Sequence, residues 1–397
     1  TGRAHYAASI SLAVSEGISA SSEKYGNTEK DGYETVTFAS RLGWAPSDKV
    51  ETELVARYID QTSDLDINGG PFGDDPNYTQ STRQLFLRPQ VRLDTWGGIW
   101  KQRLGVSFSH IDRDYANDTD TDHPNDSERG AYTGRIVKLD WQHDISVHDA
   151  NTLTLGLESQ KESMSSEYAS QSAWGPYTSI FDEKSARTGS LYAQDAVRLM
   201  HEAWVTTLGV RVDDHSRFGS KATFRIASSL LVQQTATRFR ASYGTGFKAP
   251  SLYQLYSDYG NRELDPEKST GYDAGIEQAI PGAPASLELT YFHNLFEDLI
   301  DFDSAAQRYK NVGEARSDGW EAALSATPWP ALSLRASFTL TRTEDRETGN
   351  DLLRRPKHKA GLDANWKVSD TFGIRLDIRH TGARDDEYYD TSTWSSR

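Results

Sequence analysis

The chain has 397 residues, a net charge of −15 and no cysteine; only 36% of it is hydrophobic, and its mean hydropathy is −0.68. The acidic balance excludes a nucleic-acid partner, because phosphate binding needs clustered Lys and Arg and those here are dispersed. The lack of cysteine excludes disulfide frameworks and thiolate metal sites. No apolar run reaches the roughly 18 residues a spanning helix needs, which leaves a soluble protein or one that crosses a membrane with strands.

Strict alternation of apolar and polar residues is the sign of a strand with one oily and one wet face. With turns read from Gly, Pro, Asn and Asp clusters, the chain divides into about 17 strands and no amphipathic helix of comparable length. In order they are 6–20, 33–45, 50–61 and 84–95, the last with Leu85, Leu87, Val91 and Leu93 alternating with polar neighbours. Next come 99–113, 132–146, 151–163, 185–200, 204–215, 221–232, 236–248, 271–281, 285–298 and 309–327. The series closes with 331–345, 358–368 and 372–384, which include the runs Leu332–Thr341 and Phe372–Arg379. Short turns (46–49, 97–98, 147–150, 201–203, 233–235, 282–284, 328–330, 369–371) alternate with longer polar loops such as 62–83, 114–131, 164–184, 249–270 and 346–357. One end of the sheet is therefore trimmed and the other elaborated, as in outer-membrane barrels. Trp44, Trp96, Trp100, Trp204, Trp329 and Trp366 stand beside the short turns, where an interfacial girdle places an indole with its apolar body and single donor. No linker, repeat or low-complexity tract interrupts the pattern, which predicts one all-β unit.

Catalytic signatures are missing. There is no GxSxG elbow and no zinc-hydrolase motif, and acidic residues are too abundant to single out a catalytic pair, so an enzyme is not expected. Gly244–Lys248 lacks the spacing and the following helix of a phosphate loop. Its neighbours Phe247, Tyr253 and Tyr256 are expected to pack near the outer interface. The ten histidines are scattered, without an HxxxH or a two-His-one-carboxylate grouping for zinc or haem. Asp118, Asp120 and Asp122 open like an EF-hand, but His123 stands at position six and Arg129 at position twelve, so that reading fails.

The segment Tyr243–Glu277, YGTGFKAPSLYQLYSDYGNRELDPEKSTGYDAGIE, resembles TonB-dependent outer-membrane receptors, most closely the cobalamin (vitamin B12) receptors. DLIDFD at Asp298–Asp303, YKNVGEARSDGW at Tyr309–Trp320 and LLRR at Leu352–Arg355 support it in the same order, over about Gly17 to Tyr389. The resemblance implies a transmembrane antiparallel β-barrel of about 22 strands around an N-terminal plug that contacts TonB. It sets the first segment on the family's third strand, so residues 1–397 are expected to be a partial barrel domain lacking the plug and both barrel ends.

The implied activity is active uptake, powered through TonB, of a large scarce nutrient, with cobalamin or a related corrinoid favoured over a siderophore or haem. A soluble β-rich binding or adhesion module is the alternative from another class. The implied partners are TonB, the ligand, and the lipid and lipopolysaccharide of a Gram-negative outer membrane, with the barrel a monomer. By position, Asn27, Glu29, Asp31 and Asp66 match the family's calcium ligands in the outer loops, and Asp74 or Asp75 supplies a further carboxylate. Ser19 stands where the family has another Asp. Arg354 and Tyr389 occupy substrate-contacting positions, offering directional donors and a flat ring with a hydroxyl.

Overall fold

The computed structural model describes residues 3–18, 30–65, 75, 77–121, 123–303 and 306–385, together with the backbone of 389–390 and 395–396. A 17-stranded antiparallel sheet makes up almost all of it. Its strands are β1 (Ala4–Ile18), β2 (Asp31–Ser47), β3 (Val50–Asp64), β4 (Thr79–Thr95), β5 (Trp100–Asn117), β6 (Ser127–His148), β7 (Asn151–Ser172), β8 (Gly175–Leu199) and β9 (Trp204–His215). They continue with β10 (Gly219–Val232), β11 (Thr237–Lys248), β12 (Glu267–Ala279), β13 (Ala285–Glu297), β16 (Ala315–Trp329), β17 (Leu332–Asp345), β18 (His358–Lys367) and β19 (Gly373–Thr381). The hairpins β14 (Leu299–Asp303) with β15 (Arg308–Val312) and β20 (Tyr389–Asp390) with β21 (Ser395–Ser396) form separate two-stranded sheets. Each meander strand pairs with the next, β13 pairing directly with β16 across the first hairpin. Among the described residues no ladder joins β1 to β19.

Register shows what the alternation does. Residues facing each other across a ladder share a face, and Trp320, Leu324 and Ala326 on β16 stand opposite Leu340, Ala336 and Leu334 on β17. The same row continues through Leu362 and Trp366 to Ile378 and Ile374. The other face carries Arg335, Asp363 and Asp377 in one row and Ser333, Asn365 and Arg375 in the next. Among the described residues no second layer covers the oily face. Leu208, Leu230, Leu324, Leu376 and Ile378 are all exposed, while among the described residues the buried apolar side chains are Phe181, Ala186, Leu252, Leu255, Leu264 and Ala315. Withdrawing one such side chain from water is worth roughly 1.5–3 kcal/mol, so leaving dozens of them wet would cost on the order of tens of kcal/mol. Hydrocarbon is the environment that removes this cost, and the rows face lipid.

Aromatic residues mark both edges of that band. At the short-turn end Trp44, Trp96, Trp204, Trp329 and Trp366 are exposed and Trp100 is half-buried, as the girdle reading expects. Trp204 donates its Nε1–H to Ser228 Oγ (2.9 Å), and Trp100 donates to His143 Nδ1 (3.2 Å). Toward the other end Phe224, Tyr243, Tyr272, Tyr291 and Trp320 form a row across five neighbouring strands. Trp320 and Trp329 are nine positions apart on β16. At ~3.3 Å per residue and a tilt of ~40°, this separates the two belts by about 23 Å, close to the ~25 Å apolar band of outer-membrane barrels.

Three expectations need correction. Residues 164–184 are not a loop: β7 and β8 run on through them to a tight turn at Trp174 and Gly175, the latter at φ 98. The segment 309–327 is not one strand, since β15 leaves the sheet and β16 begins only at Ala315. Within 249–270 a single helical turn forms, α1 (Leu252–Tyr256).

Candidate ligand-binding mouth and lumen wall

The wet face is a wall of mutually satisfied charges. Arg88 grips Asp140 with two bonds (2.8 and 3.0 Å) and also donates to Ser107. Glu158 accepts from Lys138 (2.9 Å) and Arg211 (2.7 Å), and Arg211 continues to Asp213 and Ser190. Arg41 pairs with Glu53, whose other oxygen accepts from Gln90 (2.7 Å). Farther round, Arg379 holds Asp363 (2.8 Å). A hollow of about 710 Å³ lies on this wall between Arg240, Glu288 and Arg335. Unpaired, each of these charges would carry a large desolvation cost; paired, they make a polar lining that suits either water or an inserted polar domain.

At the elaborated end, a capping box starts α1. Ser251 Oγ accepts from the Gln254 amide (3.2 Å), and Gln254 Oε1 accepts from the Ser251 amide (2.8 Å). Leu252 then packs on Phe181 and Ala186 of β8, which swings Tyr253 over the lumen side. There a cavity of about 590 Å³ is lined by Tyr78, Tyr115, Tyr132 and Tyr253, with Arg113 and Glu128. Ladder parity puts Arg113, Tyr132, Tyr115 and Gly130 on the wet face, so the cavity opens inward. Tyr115 meets Tyr132 edge-on at 5.7 Å between ring centroids, and Tyr253 meets Tyr309 the same way at 6.3 Å. The Tyr78 hydroxyl donates to Glu128 Oε1 (2.9 Å). Burial first, and the Glu128 carboxylate second, push the Tyr78 phenol well above its ordinary range; burial likewise raises Tyr253. The Tyr78 and Tyr253 phenols therefore stay neutral, and the cavity offers flat ring faces and O–H groups beside one guanidinium.

Asn27, Glu29, Asp66 and Asp74 lie outside the described residues, as does the side chain of Tyr389. Asp31 is the first residue of β2. Asp75 is fully buried against Asn117, Asn77 and His123, so it meets the loop between β5 and β6. Arg354 sits exposed in a turn at φ 59, its amide donating to Asp385 O (2.7 Å), and is not among the residues lining the tyrosine cavity. Tyr253 and Tyr256 do pack at the elaborated end, but on its lumen side. Sequence reasoning passed over Tyr78, Tyr115 and Tyr132. Their signal was parity: Tyr115 and Tyr132 take wet-face positions near the strand ends, where Ser or Arg would be ordinary.

With this geometry in view, the family model for "TonB dependent receptor-like, beta-barrel" matches residues 16–396. The chain belongs to the TonB-dependent receptor β-barrel family. This receptor barrel therefore resides in the outer membrane of a Gram-negative bacterium, in a family of receptors and transporters. Among solved structures, it superposes on a mutant of the ferric enterobactin receptor of Pseudomonas aeruginosa with a TM-score of 0.78 at 17% identity, covering 96% of this chain and 63% of that one. The siderophore receptor PirA of Acinetobacter baumannii gives 0.76 at 15% identity, covering 96% and 64%. The copper transporter OprC gives 0.76 at 13%, with the same coverage. The receptor barrel thus spans under two thirds of the length of these neighbours.

Proposed function

We propose that this receptor barrel is the membrane part of a TonB-powered importer of a metal chelate with aromatic arms, of the siderophore class. The observation that carries this reading is the tyrosine-lined cavity. Its volume of about 590 Å³ falls within the ~300–1,000 Å³ of small-molecule sites, and its neutral rings and Arg113 suit flat, anionic aryl groups. The neighbours named for ferric enterobactin, siderophore and copper uptake support the same class. The charged lumen wall supplies partners for a plug, and the open edges of β1 and β19 supply ladder positions for further strands of the whole receptor.

Uptake of radiolabelled catecholate iron chelate and of radiolabelled corrinoid, compared in receptor-deleted cells carrying the full-length gene, tests this. Chelate uptake that needs both the receptor and TonB is the expected result. Tyr132→Ala and Tyr253→Ala each raise the half-saturating chelate concentration by about 10-fold, the equivalent of ~1.4 kcal/mol. Corrinoid uptake without chelate uptake would overturn the choice of ligand and restore the cobalamin reading that the Tyr243–Glu277 resemblance implied, with Arg354 and Tyr389 as its contacts.

A further inference from the structure

Asp75 is 1% exposed, and among the described residues no Lys or Arg pairs with it. Its carboxylate accepts from Asn117 Nδ2 (2.9 Å) and lies 3.7 Å from His123 Nδ1, which in turn is 3.5 Å from Asp120 Oδ1. The ligand atoms of Asp75, Asp120 and His123 all fall within 4.8 Å of one another. His123 is 7% exposed and Asn117 3% exposed, and the buried Asn117 Oδ1 accepts no hydrogen bond from the described residues. The two loops already meet here: Asn77 Nδ2 donates to Asp118 O (2.8 Å) and Asp120 Oδ2 (3.1 Å), and the His123 amide donates to Asp120 Oδ1 (2.7 Å).

We propose that Asp75, Asp120 and His123 hold a divalent transition ion of the Zn²⁺ type that staples the loop after β3 to the loop after β5. Separations of 3.5 and 3.7 Å are long for hydrogen bonds. They match the roughly 3.4 Å between ligand atoms of a tetrahedral site with bonds of about 2.0–2.2 Å. With three protein ligands, the fourth tetrahedral position is left to water. Imidazole nitrogen selects a borderline ion over Ca²⁺, which takes oxygen ligands. The Asp120 side chain, 33% exposed, leaves an entry path. His123, the residue that breaks the EF-hand pattern, becomes the ligand that defines the site. Because Tyr78 donates its amide to Asp75 O (3.2 Å), the ion also fixes the loop that presents Tyr78; the site itself stands whether or not the uptake reading does.

The test uses the full-length receptor in detergent, stripped with chelator and titrated with Zn²⁺, Co²⁺ and Ca²⁺, with folding checked by heat-modifiable gel migration. The wild type and Asp126→Asn, an acidic control in the same loop, are expected to bind one Zn²⁺ and to give a tetrahedral Co²⁺ absorption spectrum. His123→Ala and Asp75→Asn, still folded, are expected to lose both, and a tenfold excess of Ca²⁺ should leave Zn²⁺ in place. Zn²⁺ binding that survives His123→Ala, displacement of Zn²⁺ by Ca²⁺, or no binding by the wild type would each overturn the proposal.

Discussion

Neighbouring residues on one strand of this sheet live in different solvents, and substitutions at adjacent positions should show it. Leu208 faces lipid opposite Ile226, four residues from the girdle residue Trp204, while Thr207 points into the lumen opposite Ala227. Leu208→Arg, close to the membrane midplane, is expected to cost about 2–4 kcal/mol of folding stability in lipid vesicles. Thr207→Arg should stay within about 0.5 kcal/mol, as measured by urea titration. On the lumen wall, Glu158→Gln leaves Arg211 and Lys138 without their shared carboxylate and is expected to cost about 1–3 kcal/mol in the same assay. Face assignment was legible from sequence because parity is local: the Leu332–Thr341 run reads correctly residue by residue. The mouth was not. Tyr78, Tyr132 and Tyr253 are brought together by strand register and by the packing of α1 on β8, contacts that no spacing within a single segment records. The same holds for His123 and Asp75, which lie on different loops.

Elements beyond the lipid obey other rules. Residues 164–184 continue the β7–β8 ladder; outside the membrane neither face must be oily, so the alternation that marks a strand is lost and the sequence looks like a polar loop. The break between β15 and β16 escaped for the opposite reason, because alternation continues through a segment that changes partners. Asn311 makes three of the bonds that tie that hairpin down: its side chain donates to Asp298 O (2.7 Å) and Asp265 O (3.0 Å), and its Oδ1 accepts from the Asp265 amide (2.8 Å). Asn311→Ala should raise hydrogen exchange throughout β14 and β15, by about 1–2 kcal/mol of local opening, and leave β13 and β16 unchanged.

The turn after β17 carries a pH signature. Asp345 Oδ1 accepts from the Glu347 (2.9 Å) and Thr348 (3.1 Å) amides, which hold its carboxyl below the usual value, Thr348 first. A depressed folded-state pKa stabilises the turn above the ordinary carboxylate pKa and is lost as pH falls through the folded one. Exchange at Glu347 and Thr348 should therefore be slow at pH 6, after allowance for intrinsic exchange rates, and the protection relative to Asp345→Asn should be complete above about pH 4 and fall away below it.

For the whole molecule, the decisive relation is between the two aromatic belts, the band of exposed aliphatic residues between them and the charged wall behind. A sandwich would bury the band against a second sheet; this sheet leaves it uncovered along all 17 strands. Overall architecture was therefore the most legible level, since it depends on a pattern repeated strand after strand, and ligand identity the least, since it depends on loops that meet only in space. This chain brings no cysteine of its own, so single nitroxide labels can be placed at each position from 332 to 341 of the full-length receptor, with any cysteine outside this chain replaced, in lipid vesicles. Collision rates with oxygen, which concentrates in lipid, and with a water-soluble nickel complex should then oscillate out of phase with a two-residue period. Oxygen should peak at Leu334, Ala336 and Phe338, and nickel at Ser333, Arg335 and Ser337. Low accessibility to both reagents at the apolar positions would mean that the oily row is covered by protein, and would contradict the membrane barrel.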